Sequence, residues 1–95
     1  MIQVLGDVTI EDVPTFLGVF ATRGAELRRE HGSRRSQVFA VAGETNRVLV
    51  LFEWESREAF ERFLTDPAVK ATMQSSGTVG RPAFTFLHRV GEFPG

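Results

Sequence analysis

Two imidazoles, His31 and His88, are the side chains of this sequence best suited to moving protons near neutral pH. His88 follows Phe84 and Phe86 at alternate positions, which in a strand puts it at the end of a row of rings on one face. There it is either a general base or proton donor in an apolar pocket, or an edge residue bonded to a backbone group. His31 continues the helical spacing of Phe20, Gly24 and Leu27. It either faces the space between helix and sheet or meets the last carbonyls of its helix, where the macrodipole favours a cation. Trp54 carries the one indole N–H. It can hold a planar ligand or pack in a core while its N–H finds an acceptor.

Other chemistries are thinner. Arg34, Arg35 and Arg81 can grip an acidic group through the guanidinium fork, or stand solvated at the surface. Glu53 and Glu55 fall on alternate strand positions, yet no His or Asp at ligand spacing supports a metal site, so none is expected. Glu58 and Glu61 complement the first turn of a helix without any chemistry. There is no Cys, and hence no thiolate nucleophile or disulfide. GxSxG, Walker and GxGxxG motifs are absent, and Gly77-Thr78-Val79-Gly80 is too short a glycine signal for phosphate. Eleven basic against twelve acidic residues leave a net charge of −1, which argues against nucleic acid. No apolar run nears the roughly 20 residues of a membrane span, and no leader-like start is visible. A cytoplasmic location, with no membrane partner and no cofactor, is the expectation.

These residues need elements to position them. Residues 1–95 are expected to form one domain. Ile2, Val4, Gly6 and Val8 alternate with Gln3, Leu5 and Asp7 as in a strand. From Glu11 to His31 the apolar residues Val13, Phe16, Leu17, Phe20, Gly24 and Leu27 make a helical stripe, with Arg23, Glu26, Arg28, Arg29 and Glu30 on the other side. Thr9 offers a cap, Pro14 a first turn and Gly32 a stop. Ser36 to Ala42 and Arg47 to Glu55 read as a hairpin turned by Gly43-Glu44-Thr45-Asn46. In the second of these strands Val48, Val50, Phe52 and Trp54 oppose Leu49 and Leu51, so both faces want cover. Ser56 caps a helix carrying Ala59, Phe60, Phe63 and Leu64, and Asp66-Pro67 starts a further turn with Val69 and Met73. Arg81 to Val90 alternates as the last strand.

The order is β-α-β-β-α-β, an α+β, ferredoxin-like arrangement: a four-stranded antiparallel sheet with two helices on one face. The other face is expected to meet a second copy, giving a homodimer through the open sheet face. Nine Phe, one Trp and no Tyr fit a core that shares its rings with an interface or a ligand pocket.

The stretch from Arg47 to Val90 carries a strand ending Glu53-Trp54-Glu55-Ser56, a helix opening Arg57-Glu58-Ala59-Phe60, the Asp66-Pro67 break and a Gly-Pro approach to the last strand. In these it resembles the dimeric α/β-barrel proteins of the antibiotic-biosynthesis-monooxygenase-like and polyketide-cyclase-like groups. That resemblance implies a small enzyme, a cofactor-independent monooxygenase or a cyclase/isomerase, taking an aromatic or polyketide-like molecule into an apolar pocket; the alternative is a non-catalytic ligand-binding or structural barrel. Many such monooxygenases keep a Glu and a His where this chain has Phe52 and Phe63. The Trp and His of the haem-degrading branch would fall at Phe63 and Met73, which speaks against haem. On this reading His88 and His31 are the catalytic candidates, and Trp54, Phe20, Phe52, Phe63 and Phe86 the substrate-binding ones.

Overall fold

Strict alternation builds the centre of the molecule. In the computed structural model, which describes residues 1–95, β1 (Ile2–Ile10) and β3 (Arg47–Trp54) pair antiparallel with Val4 opposite Phe52 and Val8 opposite Val48. Ile2, Val4, Val8, Ile10, Val48, Val50, Phe52 and Trp54 are all buried, and their neighbours in sequence point to the other face. β2 (Ser33–Ala40) flanks β3, and β4 (Thr78–Leu87) flanks β1, so the antiparallel sheet runs β2-β3-β1-β4. Gly6 leaves room for a ring: a Cβ there would lie 3.1 Å from the side chain of Phe84, its neighbour on β4, and would press that ring aside.

The helices cover the even-numbered side of β1 and β3. Each of the two expected helical regions is a pair of consecutive helices. The first divides at Thr22 into α1 (Val13–Ala21) and α2 (Arg23–Glu30). No proline causes this break; Thr22 leaves the helical region (φ −112°, ψ −96°). Side chains then take the carbonyls that the interrupted ladder frees. Thr22 Oγ1 donates to Gly18 O at 2.8 Å, and Arg28 Nη1 to Phe20 O at 2.9 Å. The second region divides at Asp66 into α3 (Arg57–Thr65) and α4 (Pro67–Ser75). Here Pro67 explains the break, because the residue before a proline is driven extended, and Asp66 has ψ 121°.

Several boundaries differ from the sequence reading. The cap of α1 is Asp12, whose Oδ1 accepts from the Thr15 N–H at 2.7 Å, while Thr9 lies within β1. β2 begins at Ser33 and bulges between Ser33 and Arg35. β4 begins at Thr78, three residues before the expected start, and carries extra residues opposite Val8. Gly80 there has φ +70°, and Pro82 has no N–H to give the ladder, so the sequence alternation is lost where the strand continues. β4 ends at Leu87, which leaves His88 beyond the sheet.

Phe60 sits at the middle of the core, fully buried, with ring centroids 4.9 Å from Trp54, 5.2 Å from Phe84, 5.7 Å from Phe52 and 5.8 Å from Phe63. The open face is mixed. Leu5 stands opposite Leu51 and Phe39 opposite Leu49, with Phe39 51% exposed. Beside them Arg47 grips Asp7 through two hydrogen bonds of 2.9 and 2.7 Å, which hold the Asp7 carboxyl below its ordinary range. No helix is long and apolar enough to cross a membrane.

Candidate functional site

The helices do not close completely on the sheet. Between them lies a cavity of about 80 Å³. Its walls are rings delivered by four different elements: Phe16 and Phe20 from α1, Phe52 from β3, Phe63 from α3 and Phe84 from β4. Phe16 and Phe20 lie one helical turn apart and stack at 5.3 Å, and Phe20 meets Phe52 across the helix–sheet boundary at 6.3 Å.

One charged side chain enters this lining, Arg28 of α2. Its guanidinium lies 3.6 Å over the Phe20 ring, and burial lowers its pKa to about 10, so it stays protonated at neutral pH. The hydroxyls that line the cavity are committed to the protein. Thr72 Oγ1 donates to Ala68 O at 2.7 Å and Ser76 Oγ to Met73 O at 2.7 Å. With the Ser76 proton so used, Thr78 Oγ1 donates to Ser76 Oγ across their 2.9 Å contact.

Of the residues expected to form a site, Phe20, Phe52 and Phe63 come together in the cavity wall. Trp54 does not reach the cavity. It is fully buried behind Phe52 and Phe63, at 5.7 and 4.8 Å, and its Nε1–H donates to the His31 carbonyl at 2.8 Å. Phe86 packs on Phe60 at 5.9 Å and beneath the Arg57 guanidinium at 4.2 Å. His31 caps α2, where its ring touches the edge of Phe63 and its Nε2 lies 2.9 Å from Asp66 Oδ2. That hydrogen bond, with one from the Ala68 N–H, holds the Asp66 carboxyl below the usual carboxylate range. His88 is exposed, outside the cavity.

Arg35 and Glu53 lie on the open face, around a hollow of about 20 Å³ shared with Gln3, Gln37, Leu51 and Arg89. No cluster of three or more His, Asp or Glu side chains is arranged to hold a metal ion. The sequence reading assigned Arg28 to the polar side of its helix; in the structure it lines the cavity. The available signal was its place four residues after Gly24 and one after Leu27, on the border of the apolar stripe.

Sheet, helical layer and ring-lined cavity together define a ferredoxin-like α+β protein with an apolar pocket beneath its helices. The sequence profile of the antibiotic biosynthesis monooxygenase family matches residues 2–75, and the chain belongs to that family. No curated protein sequence matches it. Among solved structures it is similar to SnoaB, a cofactor-independent oxygenase from Streptomyces nogalater, at 18% identity and a TM-score of 0.76 over 99% of this chain and 97% of that one. It is also similar to the ActVA-Orf6 monooxygenase of Streptomyces coelicolor in complex with nanaomycin D, at 18% identity and a TM-score of 0.69 over 99% of this chain and 91% of that one.

Proposed function

We propose that this protein binds a planar aromatic or polyketide-like molecule in the cavity beneath its helices and oxygenates it without a cofactor of its own. The observation that carries this reading is the convergence of Phe16, Phe20, Phe52, Phe63 and Phe84 on one cavity. Such walls hold a flat ring system by its faces and exclude water. An electron-rich aromatic substrate can itself reduce oxygen: a ring CH₂ becomes C=O, one oxygen atom enters the product and the other leaves as water. The protein's task is then to orient the ring and shelter the intermediate. Family membership, the oxygenase similar in fold and the neighbour crystallised with nanaomycin D support this choice.

A cavity of about 80 Å³ is smaller than the roughly 300–1,000 Å³ of an ordinary ligand pocket, so entry of a polycyclic molecule requires the Phe side chains to rotate. In this reading Phe20, Phe52 and Phe63 contact the ligand, Trp54 and Phe86 back that wall, and His31, whose ring meets Phe63, moves protons at its margin, while His88 stands outside the cavity as the second candidate. The functional unit is a homodimer through the open sheet face, supported by Leu5, Leu49, Leu51 and Phe39 on that face. Its location in this reading is cytoplasmic.

The test is to incubate the purified protein with aromatic polyketides, with and without oxygen, and to follow oxygen uptake and product absorbance. Oxygen-dependent turnover supports the oxygenase, and turnover without oxygen moves the assignment to cyclase or isomerase. Unchanged turnover by His88→Ala removes His88 from the mechanism. One observation favours a non-catalytic ligand-binding barrel instead: neither histidine lies in the cavity lining. Binding of nanaomycin D with no turnover of any polyketide would decide for that reading.

A further inference from the structure

A cavity of about 80 Å³ admits a polycyclic ring system only if a wall ring swings aside, and the wall is not equally firm everywhere. Phe16, Phe52 and Phe63 are buried in the core. Phe20 and Phe84 are the two wall rings that are only partly buried. Phe84 is wedged between Phe60, at 5.2 Å, and the backbone of Gly6. Phe20 instead lies under one long side chain, that of Arg28, whose guanidinium is 3.6 Å over the ring.

Arg28 also holds the backbone of the same residue. Its Nη1 donates at 2.9 Å to Phe20 O, across the break between α1 and α2 at Thr22. Gly24 leaves the slot for this clasp, because a Cβ there would lie 3.1 Å from Arg28 Nη1 and 3.1 Å from Val19 O. The cavity surface is apolar, so Arg28 lines it with the methylenes of its stem and turns its N–H groups elsewhere. No carboxylate locks the guanidinium in place: none of the chain's ion pairs includes it. A half-buried cation without a counter-ion regains water when it swings out, which offsets the contacts it gives up.

We infer that Arg28 and Phe20 form the door of the cavity. The guanidinium swings out to water, Phe20 follows about the break at Thr22, the ligand passes, and the clasp re-forms over it. This rests on the aromatic-ligand reading of the cavity and adds how its occupant enters and leaves. Arg28 is thus a positioning residue that acts through Phe20. The same clasp closes the empty and the filled cavity, so its strength cancels from Kd while standing in the barriers to entry and to release.

The test uses an uncharged tricyclic probe, 9-anthracenemethanol, with the purified protein at pH 7. Trp54, the only tryptophan, lies 5.7 Å from Phe52 and 4.8 Å from Phe63, so energy transfer from it to the anthracene reports an occupied cavity. Stopped-flow mixing gives the entry rate and dilution gives the release rate. Arg28→Met keeps a stem over the cavity and removes the clasp. Both rates should rise about tenfold, the order expected for losing a charged hydrogen bond and a cation–π contact, with Kd constant to within about twofold. Arg28→Lys keeps the cation without the planar fork and should fall between the two. If Arg28→Met fails to fold, Gly24→Ala crowds the guanidinium out of its slot and should accelerate both rates in the same sense. Unchanged rates, or a changed Kd with an unchanged entry rate, overturn the door and leave the aromatic cavity standing. A probe that does not quench Trp54 at all removes both readings together.

Discussion

The two faces of the sheet are made from the same four strands and meet opposite fates. On the helix side, Val4, Val48, Val50 and Trp54 are at most 1% exposed, and the space left over is a cavity walled by rings. On the open side, leucines one residue away in sequence stand half-covered beside an Asp7–Arg47 ion pair and a hollow edged by Arg35, Glu53 and Arg89. The first face is finished within the subunit. The second has apolar surface but also the polar groups that a surface alternating with water requires. The difference teaches that apolar content alone does not assign a face; what decides is whether the interleaved residues are also apolar.

The sharpest way to break this contrast is at Phe60, the ring that touches every layer of the helix side. Phe60→Ala should cost roughly 3–5 kcal/mol in denaturant unfolding, the usual range for deleting a buried aromatic ring. A loss below about 1 kcal/mol would mean that the helix-side core is far looser than its geometry. On the open face the expected effect is smaller and of another kind. If that face joins two subunits, stability should rise by about 1.4 kcal/mol for each tenfold increase in protein concentration, and Leu51→Asp should abolish the dependence. A wild type whose unfolding ignores concentration would end the homodimer reading.

The smallest effect concerns the margin where α2 meets α4. The Asp66 carboxyl is held below its ordinary range by His31, so its folded pKa is lower than its unfolded one, near 4. The stabilisation is complete above that unfolded value and disappears as pH falls through the folded value. Asp66→Asn keeps an acceptor for the Ala68 N–H and removes the titration. Its stability between pH 5 and pH 2.5 should therefore fall less steeply than that of the wild type. Parallel curves would show that the His31–Asp66 contact is not felt.

The helix side was the more legible in sequence, for a physical reason. Period-two alternation in β1 and β3 placed Val4, Val8, Val48, Val50, Phe52 and Trp54 on single faces, and the register of the sheet put those faces together. The Asp66-Pro67 break was marked by proline chemistry. The break at Thr22 was not, because the Phe20–Gly24–Leu27 spacing runs through it undisturbed and the compensating bonds come from side chains that look like surface residues. For the same reason Arg28 escaped notice: a helical wheel drawn for one straight helix puts it outside. The cavity residues Phe20, Phe52 and Phe63 were visible as rings of the right type. The placement of His88 turned on where β4 ends: the alternation of Phe84, Phe86, His88 and Val90 runs on in sequence past Leu87, where pairing with β1 stops opposite Gln3.

The strand order has a consequence for how the chain comes to be made. β1 is the first strand to leave the ribosome, yet one of its two flanks is taken by β4, the last. Until residues 78–87 emerge, the nascent protein carries an open ladder of N–H and C=O groups beside Val4 and Gly6, and Phe84 and Phe86 have not arrived to cover Phe60. The same chain halted at α4 would offer a sticky, half-zipped edge to other nascent chains. Docking of β4 pairs this flank of β1 and brings Phe84 and Phe86 over Phe60, so the β1 edge is covered only when the far end of the domain has been made.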